Sequence, residues 1–492
     1  MPQRLNAALR EWGRLLGPEA VVRGDDLTGY TANVTAFDRV VPAALHIERR
    51  DQLPDVVRIA RDHGVPIYPI STGRNWGLGS RLPVRDGAVI VDLSRMNRIL
   101  ALDRATSTVV VEPGVTQGQL AEYLDREAPQ LLANMTGSAA DTSLVGNTVD
   151  RGIGYLAQRI DDLVGLEILL GTGQTLRTGE WSTSGEHHGP HWGHGIGPSI
   201  EGLFVQSNLG IVTAAALRLR QRPAATTAFR VSVPRDDDIV GLLEALAGLH
   251  RDSVLTMPTR IFDGVWTHGS LDGPEPAWTA FGGLSGRPGV VEALRHEVHE
   301  TLDPLGTLEL VSLQEVRSTP VSTSESSWWR SVLSVMGGHP TDLSVTNWAS
   351  RIGVAFAAED LDASDFGMLC DVRAIPFAGR SAHEAAKLAR GICAPHSLQP
   401  CISLSALDAH TLEAVFILLF NRSAPEQVDC AHACAVELGK ALTAADLVPH
   451  RIGVEDMATA VAPQDPYWET LASIKRSLDP TLIIAPGRYS VV

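Results

Sequence analysis

A chain of 492 residues, 44% hydrophobic and 20% charged, is long enough for two or three domains and has the balance of a globular protein that buries large cores. A net charge of −16 argues against nucleic acid or an anionic membrane surface as partner, and no apolar run approaches the ~20 residues of a membrane span. The start Met1-Pro2-Gln3-Arg4-Leu5-Asn6 lacks the charged-then-apolar pattern of a secretory signal, and five cysteines without framework spacing fit a reducing cytoplasm.

The first half alternates strand and helix. His46 to Glu48 opens a strand, Leu53 to His63 reads as a helix with Val56, Val57, Ile59 and Ala60 on its apolar face, and Val65 to Ile70 returns as a strand. This βαβ unit feeds the run Ser71-Thr72-Gly73-Arg74-Asn75-Trp76-Gly77-Leu78-Gly79. Glycine tolerates φ > 0 and carries no Cβ, so such a turn can aim several backbone N–H groups at one anion. Arg74 adds a cationic fork beside it. The physical reading is a pyrophosphate cradle.

Ala88 to Leu93 and Thr108 to Val111 follow as buried strands, and Gln117 to Asp125 as a helix. Leu163 to Leu170 and Gln174 to Arg177 form a hairpin around Gly171-Thr172-Gly173, and Gly210 to Leu219 is a further strand. Gln221-Arg222-Pro223 ends this region. A second region starts at Val231, with helices at Val240 to Leu249, Ala382 to Ile392 and Cys430 to Thr443. No internal repeat or low-complexity linker is visible.

Four more segments join the glycine-rich run: Glu112-Pro113-Gly114-Val115-Thr116, Ser143 to Tyr155, Gly197 to Thr213, and Asp479 to Tyr489. In this order and at these separations they resemble the vanillyl-alcohol oxidase / p-cresol methylhydroxylase family of FAD flavoproteins, over nearly the whole chain. The resemblance implies an α+β fold: an FAD-binding domain from residues 1–225 completed by 441–492, and a cap over 226–440 built on a large antiparallel sheet flanked by helices. It implies that Ser71, Thr72, Gly73, Arg74 and Asn75 hold the pyrophosphate. Pro113, Gly114, Ser143, Gly146, Asn147 and Gly152 would line the ribityl and ring, Ile211 and Val212 would bracket the adenine end, and Arg488 would reach the flavin from the C-terminus. A homodimer is implied as well.

The departures bear on chemistry. Family members that oxidise para-substituted phenols carry Tyr where Leu78 stands, and Tyr followed by Arg where this chain has His450-Arg451. The oxidases place an Asp near the flavin where the alignment here gives Ser138; Asp141 lies close by. Counting back from the signature Phe420-Asn421-Arg422 puts Ala414 at the covalent tether, beside Glu413, with His410 four residues earlier. Asn75-Trp76 replaces the second tethering His of bicovalent members. FAD is therefore expected to be bound non-covalently.

The expectation is an FAD-dependent oxidoreductase that takes hydride from an activated C–H of a small, secondary-metabolite-type substrate. Arg451 would anchor the substrate, His450 would act as base, and Ser138 completes the catalytic candidates. O2 or another acceptor would reoxidise the flavin. Two alternatives stand beside it: a flavin-binding cyclase without net redox, and a para-substituted phenol oxidase. The same residues have plainer readings. Arg451 can be an ion-pair partner of Glu455 or Asp456, His450 a satisfied core histidine, and Asp150-Arg151 a local ion pair. The run His187-His188-Gly189-Pro190-His191-Trp192-Gly193-His194 has neither helical nor finger spacing, so no metal is expected. Cys430 and Cys434 flank His432 as packed thiols. Trp328, Trp329 and Trp348, with Thr341-Asp342, fall in the cap as core or pocket wall.

Overall fold

The structure, a computed structural model, describes residues 2–183, 189–267, 275–318, 324–342, 352 and 358–492. The first sheet holds β1 (Val21–Val22), β2 (Ala44–His46), β3 (Ile67–Ile70) and β4 (Val89–Asp92) in the order β1-β2-β4-β3. β2, β4 and β3 run parallel, which requires a crossover, and helix Leu53–His63 supplies it. That helix buries Leu53, Val56, Val57, Ile59 and Ala60, then ends on Gly64 at φ 61°, a left-handed cap that glycine takes without strain. The C-terminal segment closes the same sheet. Ile67 pairs with Ile484, and Lys475 and Asp479, both fully buried and 2.7 Å apart, fix the segment from within.

A second, antiparallel sheet holds β5 (Ile99–Asp103), β6 (Thr108–Val111), β7 (Leu163–Leu169), β8 (Thr175–Arg177) and β9 (Ile211–Arg218) in the order β5-β6-β9-β7-β8. The hairpin around Gly171-Thr172-Gly173 is its β7–β8 corner.

The cap sheet follows at once, with a strand over Ala225–Val233 where the sequence marks a new region only at Val231. Among the described residues it has eight strands: β10 (Ala225–Val233), β11 (Arg260–Asp263), β12 (Trp278–Gly286), β13 (Thr307–Ser312), β14 (Phe366–Pro376), β15 (Cys401–Ala406), β16 (Thr411–Asn421) and β17 (Val448–Arg451). Their order is β13-β10-β12-β11-β15-β16-β14-β17, antiparallel throughout. Helices Ile239–Arg251, Pro288–Leu302, Gly379–Cys393 and Pro425–Ala444 cover one face and share a core with it. The other face packs on the first domain, where Met135, Leu144 and Tyr155 meet Phe262, Phe281, Met368 and Ile417.

Both faces of the cap sheet are therefore buried, and β16 reads Thr-Leu-Glu-Ala-Val-Phe-Ile-Leu-Leu-Phe-Asn without polar alternation. Leu412, Ala414, Phe416, Leu418 and Phe420 enter the helix-side core. Val415, Ile417 and Leu419 pack toward the first domain. The expected helix from Cys430 extends back to Pro425. The fold is α+β: a first domain with a four-stranded sheet, a five-stranded sheet and a two-stranded ribbon (Leu131–Leu132 with Arg220–Gln221), joined to a cap with a large antiparallel sheet.

Candidate active site

The strand β3 ends at Ile70, and the chain turns at once through Ser71 to Asn75 along the floor of an open cleft. Gly73 sits at φ 73°, and a Cβ there would lie 2.3 Å from Arg81 Cγ, so the turn admits only glycine. Facing it is helix Leu144–Val149, started by Ser143, whose Oγ accepts from the Gly146 N–H at 2.9 Å and donates to Pro113 O at 2.6 Å. Ser143 N–H in turn donates to Thr72 Oγ1 at 3.1 Å. A Cβ on Gly146 would stand 2.4 Å from Ser71 Oγ, so glycine sets how closely the two segments approach.

Ser71, Thr72, Gly73, Arg74, Asn75, Pro113, Ser143, Gly146, Asn147, Val212, Arg451 and Arg488 all line this cleft. Gly114 lies on an adjoining cavity with Ser71, Thr72 and Asp141. Ile211 is fully buried in the core beneath, because successive residues of β9 face opposite ways. Gly152 packs on the Asn147 side chain.

Arg74 pairs with Asp141 and its guanidinium lies 5.5 Å from the Trp76 ring centre. Ser138 is held by hydroxyl contacts, 2.5 Å to Thr136 Oγ1 and 3.5 Å from Gln117 Nε2, and does not line the cleft. Leu78 is buried at 2% exposure. Its carbonyl accepts from Val454 N–H at 3.1 Å, while the Gly77 carbonyl accepts from Cys370 N–H at 3.0 Å. The second half of the glycine-rich run thus fastens to the cap.

The charged centre of the cleft is Asp150. Its Oδ2 accepts from Arg451 Nη2 and its Oδ1 from Arg488 Nη2, each at 2.9 Å. Arg451 also donates to Asn75 Oδ1 at 2.7 Å, and Arg488 to Tyr68 Oη at 2.9 Å. The pairing of Asp150 with Arg451 and Arg488 takes the place of a local Asp150-Arg151 pair. Glu455, a candidate partner of Arg451 on sequence, pairs with Arg39 instead. Burial opposes the Arg451 charge, but Asp150 and Glu413 outweigh it and hold its pKa above the ordinary value.

His450 precedes Arg451 on the edge strand β17. Its carbonyl accepts from Gln206 Nε2 at 2.9 Å, and its own Nε2, buried, has no hydrogen-bond partner among the described residues. Glu413 Oε1 stands 3.7 Å from it. Burial pushes the His450 pKa down, Glu413 opposes this, and the charges of Arg451 and Arg151 add to it.

Ala414 belongs to the helix-side core, and its neighbour Glu413 faces His450 on the other side of the sheet. His410 is exposed in a turn where its N–H donates to Asp408. His187, His188 and Trp348 lie outside the described residues. His191 is 3.1 Å from Glu180 and His194 3.0 Å from Ser199, and among the described residues no three His, Cys, Asp or Glu side chains converge as a metal site. Cys434 packs on Cys393 at 3.5 Å, and Cys430 donates to His396 O at 3.2 Å. Trp328 and Trp329 stack edge-on in the core beside Arg230. Thr341 and Asp342 are described but do not line the cleft.

The sequence places Glu413 only as the neighbour of the tether position and gives Asp150 a local role. The only signal was a carboxylate inside an otherwise apolar strand, Leu412-Glu413-Ala414-Val415, which calls for a partner.

The donor set fits a dinucleotide such as FAD. A backbone turn and a serine-started helix converge on one cleft, and the cleft-lining residues Asn147 and Arg451 each bury an atom, Oδ1 and Nε, without a partner among the described residues. Residues 42–179 match the family described as FAD binding domain. Over 99% of its length the chain is 31% identical to 1'-carboxy-chondrochloren decarboxylase of Chondromyces crocatus, covering 97% of that protein. It is 28% identical over 99% of its length to the 4-cresol dehydrogenase (hydroxylating) flavoprotein subunit of Pseudomonas putida, covering 95% of that subunit. The crystal structure of p-cresol methylhydroxylase with substrate bound superposes with a TM-score of 0.89 at 25% identity, over 100% of this chain and 98% of that one. The chain belongs to the vanillyl-alcohol oxidase / p-cresol methylhydroxylase family and is an FAD-dependent oxidoreductase.

Proposed function

We propose that the chain oxidises a small-molecule substrate at a C–H made labile by an adjacent oxygen, nitrogen or aromatic ring. FAD, when bound, supplies the hydride acceptor. Ser71, Thr72, Gly73, Arg74 and Asn75 hold its pyrophosphate, with Gly114 behind the turn. Pro113, Ser143, Gly146 and Asn147, with Gly152 supporting Asn147, shape the cleft for the ribityl chain and ring. Val212, seated on Ile211, borders the adenine end. Arg451 and Arg488, kept in place by Asp150, present positive charge toward the ring and substrate. His450 Nε2 takes the proton released as hydride leaves, and Ser138 acts at most through Thr136 and Gln117.

The observation that carries this reading is the buried Nε2 of His450, without a hydrogen-bond partner among the described residues, next to the Asp150–Arg451 pair. Anaerobic mixing with substrate is expected to bleach the flavin absorbance near ~450 nm. Product formation without bleaching would mean a cyclase. The FAD is non-covalent: neither Ala414, facing the helices, nor exposed His410 supplies a tether. A fluorescent protein band on a denaturing gel would refute that.

A second reading, oxidation of a para-substituted phenol, draws on the 28% identity to 4-cresol dehydrogenase. Against it stands the apolar, buried Leu78. Oxidation of 4-cresol with a kcat of at least about 1 per second would decide for the phenol. The relative named 1'-carboxy-chondrochloren decarboxylase supports a place in secondary metabolism. A cytoplasmic homodimer using O2 or another acceptor completes the proposal, and gel filtration with light scattering tests the dimer.

A further inference from the structure

The edge strand β17 covers only part of its neighbour β14. It pairs with Val372, Arg373 and Ala374, so Leu369, Cys370 and Asp371 have no strand on that side among the described residues. The Cys370 N–H donates to the Gly77 carbonyl instead, at 3.0 Å. The notch beyond the end of β17 is a cavity that shares no lining residue with the flavin cleft. Leu369, Phe416, Leu418 and Leu438 line it from the cap and Phe37 from the first domain. The four cap residues are at most 5% exposed, so the chamber is apolar and its walls are packed from behind.

The mouth is acidic. Asp371, Glu455 and Asp456 border it, and no lysine or arginine does among the described residues. Arg373 Nη2 donates to Asp371 Oδ2 at 2.8 Å, and Arg39 pairs with Glu455. The Asp456 side chain has no hydrogen bond or ion pair among the described residues. Three carboxylates thus meet two arginines, and one negative charge is unanswered. Burial, Asp371 and Glu455 push the Asp456 pKa up against the pull of Arg373, as in a site short of positive charge.

An apolar chamber with a few convergent polar groups is the ordinary form of a small-molecule site. Here the polar groups select a cation and the walls select an apolar body. The carboxylates do not converge as a metal site, and a bare metal ion gains nothing from leucine and phenylalanine walls. A neutral ligand leaves Asp456 unanswered, and an anion is repelled by it. The rings of Phe37 and Phe416 attract a cation as well. We propose that this cavity binds a small organic ammonium ion, an arylalkylamine by class, with its charged head at Asp456 and its ring against Leu369, Phe416, Leu418 and Leu438. The site stands independently of the reading of the flavin cleft. Gly77 and Gly453 also line it, and the Gly77 and Leu78 carbonyls accept from Cys370 and Val454 N–H, so an occupied cavity braces the joint between the glycine-rich run and the cap.

Flavin-loaded protein is titrated calorimetrically with 2-phenylethylammonium and, separately, with 2-phenylethanol, which exchanges only the ammonium for a hydroxyl. The amine is expected to bind with a Kd below about 1 mM, and at least about ten-fold more tightly than the alcohol. Asp456→Asn, a change at an exposed position, is expected to remove that preference. Ala435→Phe puts a ring into the cavity that Ala435 lines and is expected to remove binding of both probes, with the flavin spectrum indifferent to either. Equal or tighter binding of the alcohol overturns the proposal, as does a preference that survives Asp456→Asn or amine binding undiminished in Ala435→Phe. The absence of any heat from the amine up to about 10 mM overturns it too. Amine binding that shifts the flavin spectrum would place the amine in the cleft and refute the second site.

Discussion

Asp150 shares one carboxylate between two arginines that come from the cap edge and from the C-terminal segment. Its side chain is 9% exposed, so these are charge-assisted bonds in a site largely removed from water. Replacing one partner of such an arrangement costs more than the arrangement itself contributes, because the other charges remain buried. Asp150→Asn, which leaves one amide oxygen and a new donor against two guanidinium groups, should lower stability by about 3 kcal/mol and weaken FAD retention. Urea unfolding followed by tryptophan fluorescence measures the first effect, and flavin release on dilution the second. An unchanged midpoint and unchanged flavin content would show that the bridge does neither job.

At the scale of one element, the helix Ile239–Arg251 shows how packing overrides a favourable local rule. His250 occupies its last turn, where a protonated imidazole would suit the helix dipole. Burial wins: it pushes the His250 pKa down to about 4, against the opposing effects of the Leu255 backbone and Asp408. The neutral ring sits 2.9 Å from Thr259 Oγ1. In the unfolded chain His250 titrates near its ordinary value of about 6.5, so below that pH the unfolded state binds the extra proton. The stabilisation is full above about 6.5 and is lost as pH falls toward 4. The urea midpoint should fall between pH 7 and pH 5, and His250→Gln should flatten that slope; an identical slope in the variant would rule the assignment out.

Across the whole molecule the cap is fastened to the nucleotide domain through Asp362. Its Oδ1 accepts from Val34 N–H at 3.1 Å and Ser80 Oγ at 2.6 Å, and its Oδ2 from Trp76 Nε1 and Arg81 Nη1, each at 3.2 Å. Arg422 closes the same junction by donating to the Asn33, Asp362 and Ser364 carbonyls. The arginine of the Phe420-Asn421-Arg422 signature therefore fixes the domain junction. Asp362→Ala strands four donors, and a loss of about 3 kcal/mol or more is expected. The cap closes the cleft through Arg451, so proteolytic susceptibility should rise and FAD retention fall together. A variant with normal flavin content and a normal melting temperature would show that the domains hold without this contact. No helix among the described residues is long and apolar enough to cross a membrane.

The sequence by itself determined the cofactor and the fold class, through the family resemblance that five segments carry together in order and spacing. The conformation of the turn is local: Ser71 to Asn75 need only a preceding strand and a glycine free to take φ > 0. The βαβ unit likewise follows from short-range periodicity in Leu53 to His63. What the sequence left open was the facing of the cap strands and the partners of the charges. Both faces of β16 are buried, so its pattern does not tell which side Ala414 and Glu413 take. Packing of the helix layer on Ala414 and its even-numbered neighbours settles it. Asp150 meets Arg451 and Arg488 across 301 and 338 residues of chain, a pairing that no local rule anticipates. Tertiary structure decided these points because a buried charge takes whichever partner the folded backbone brings within reach.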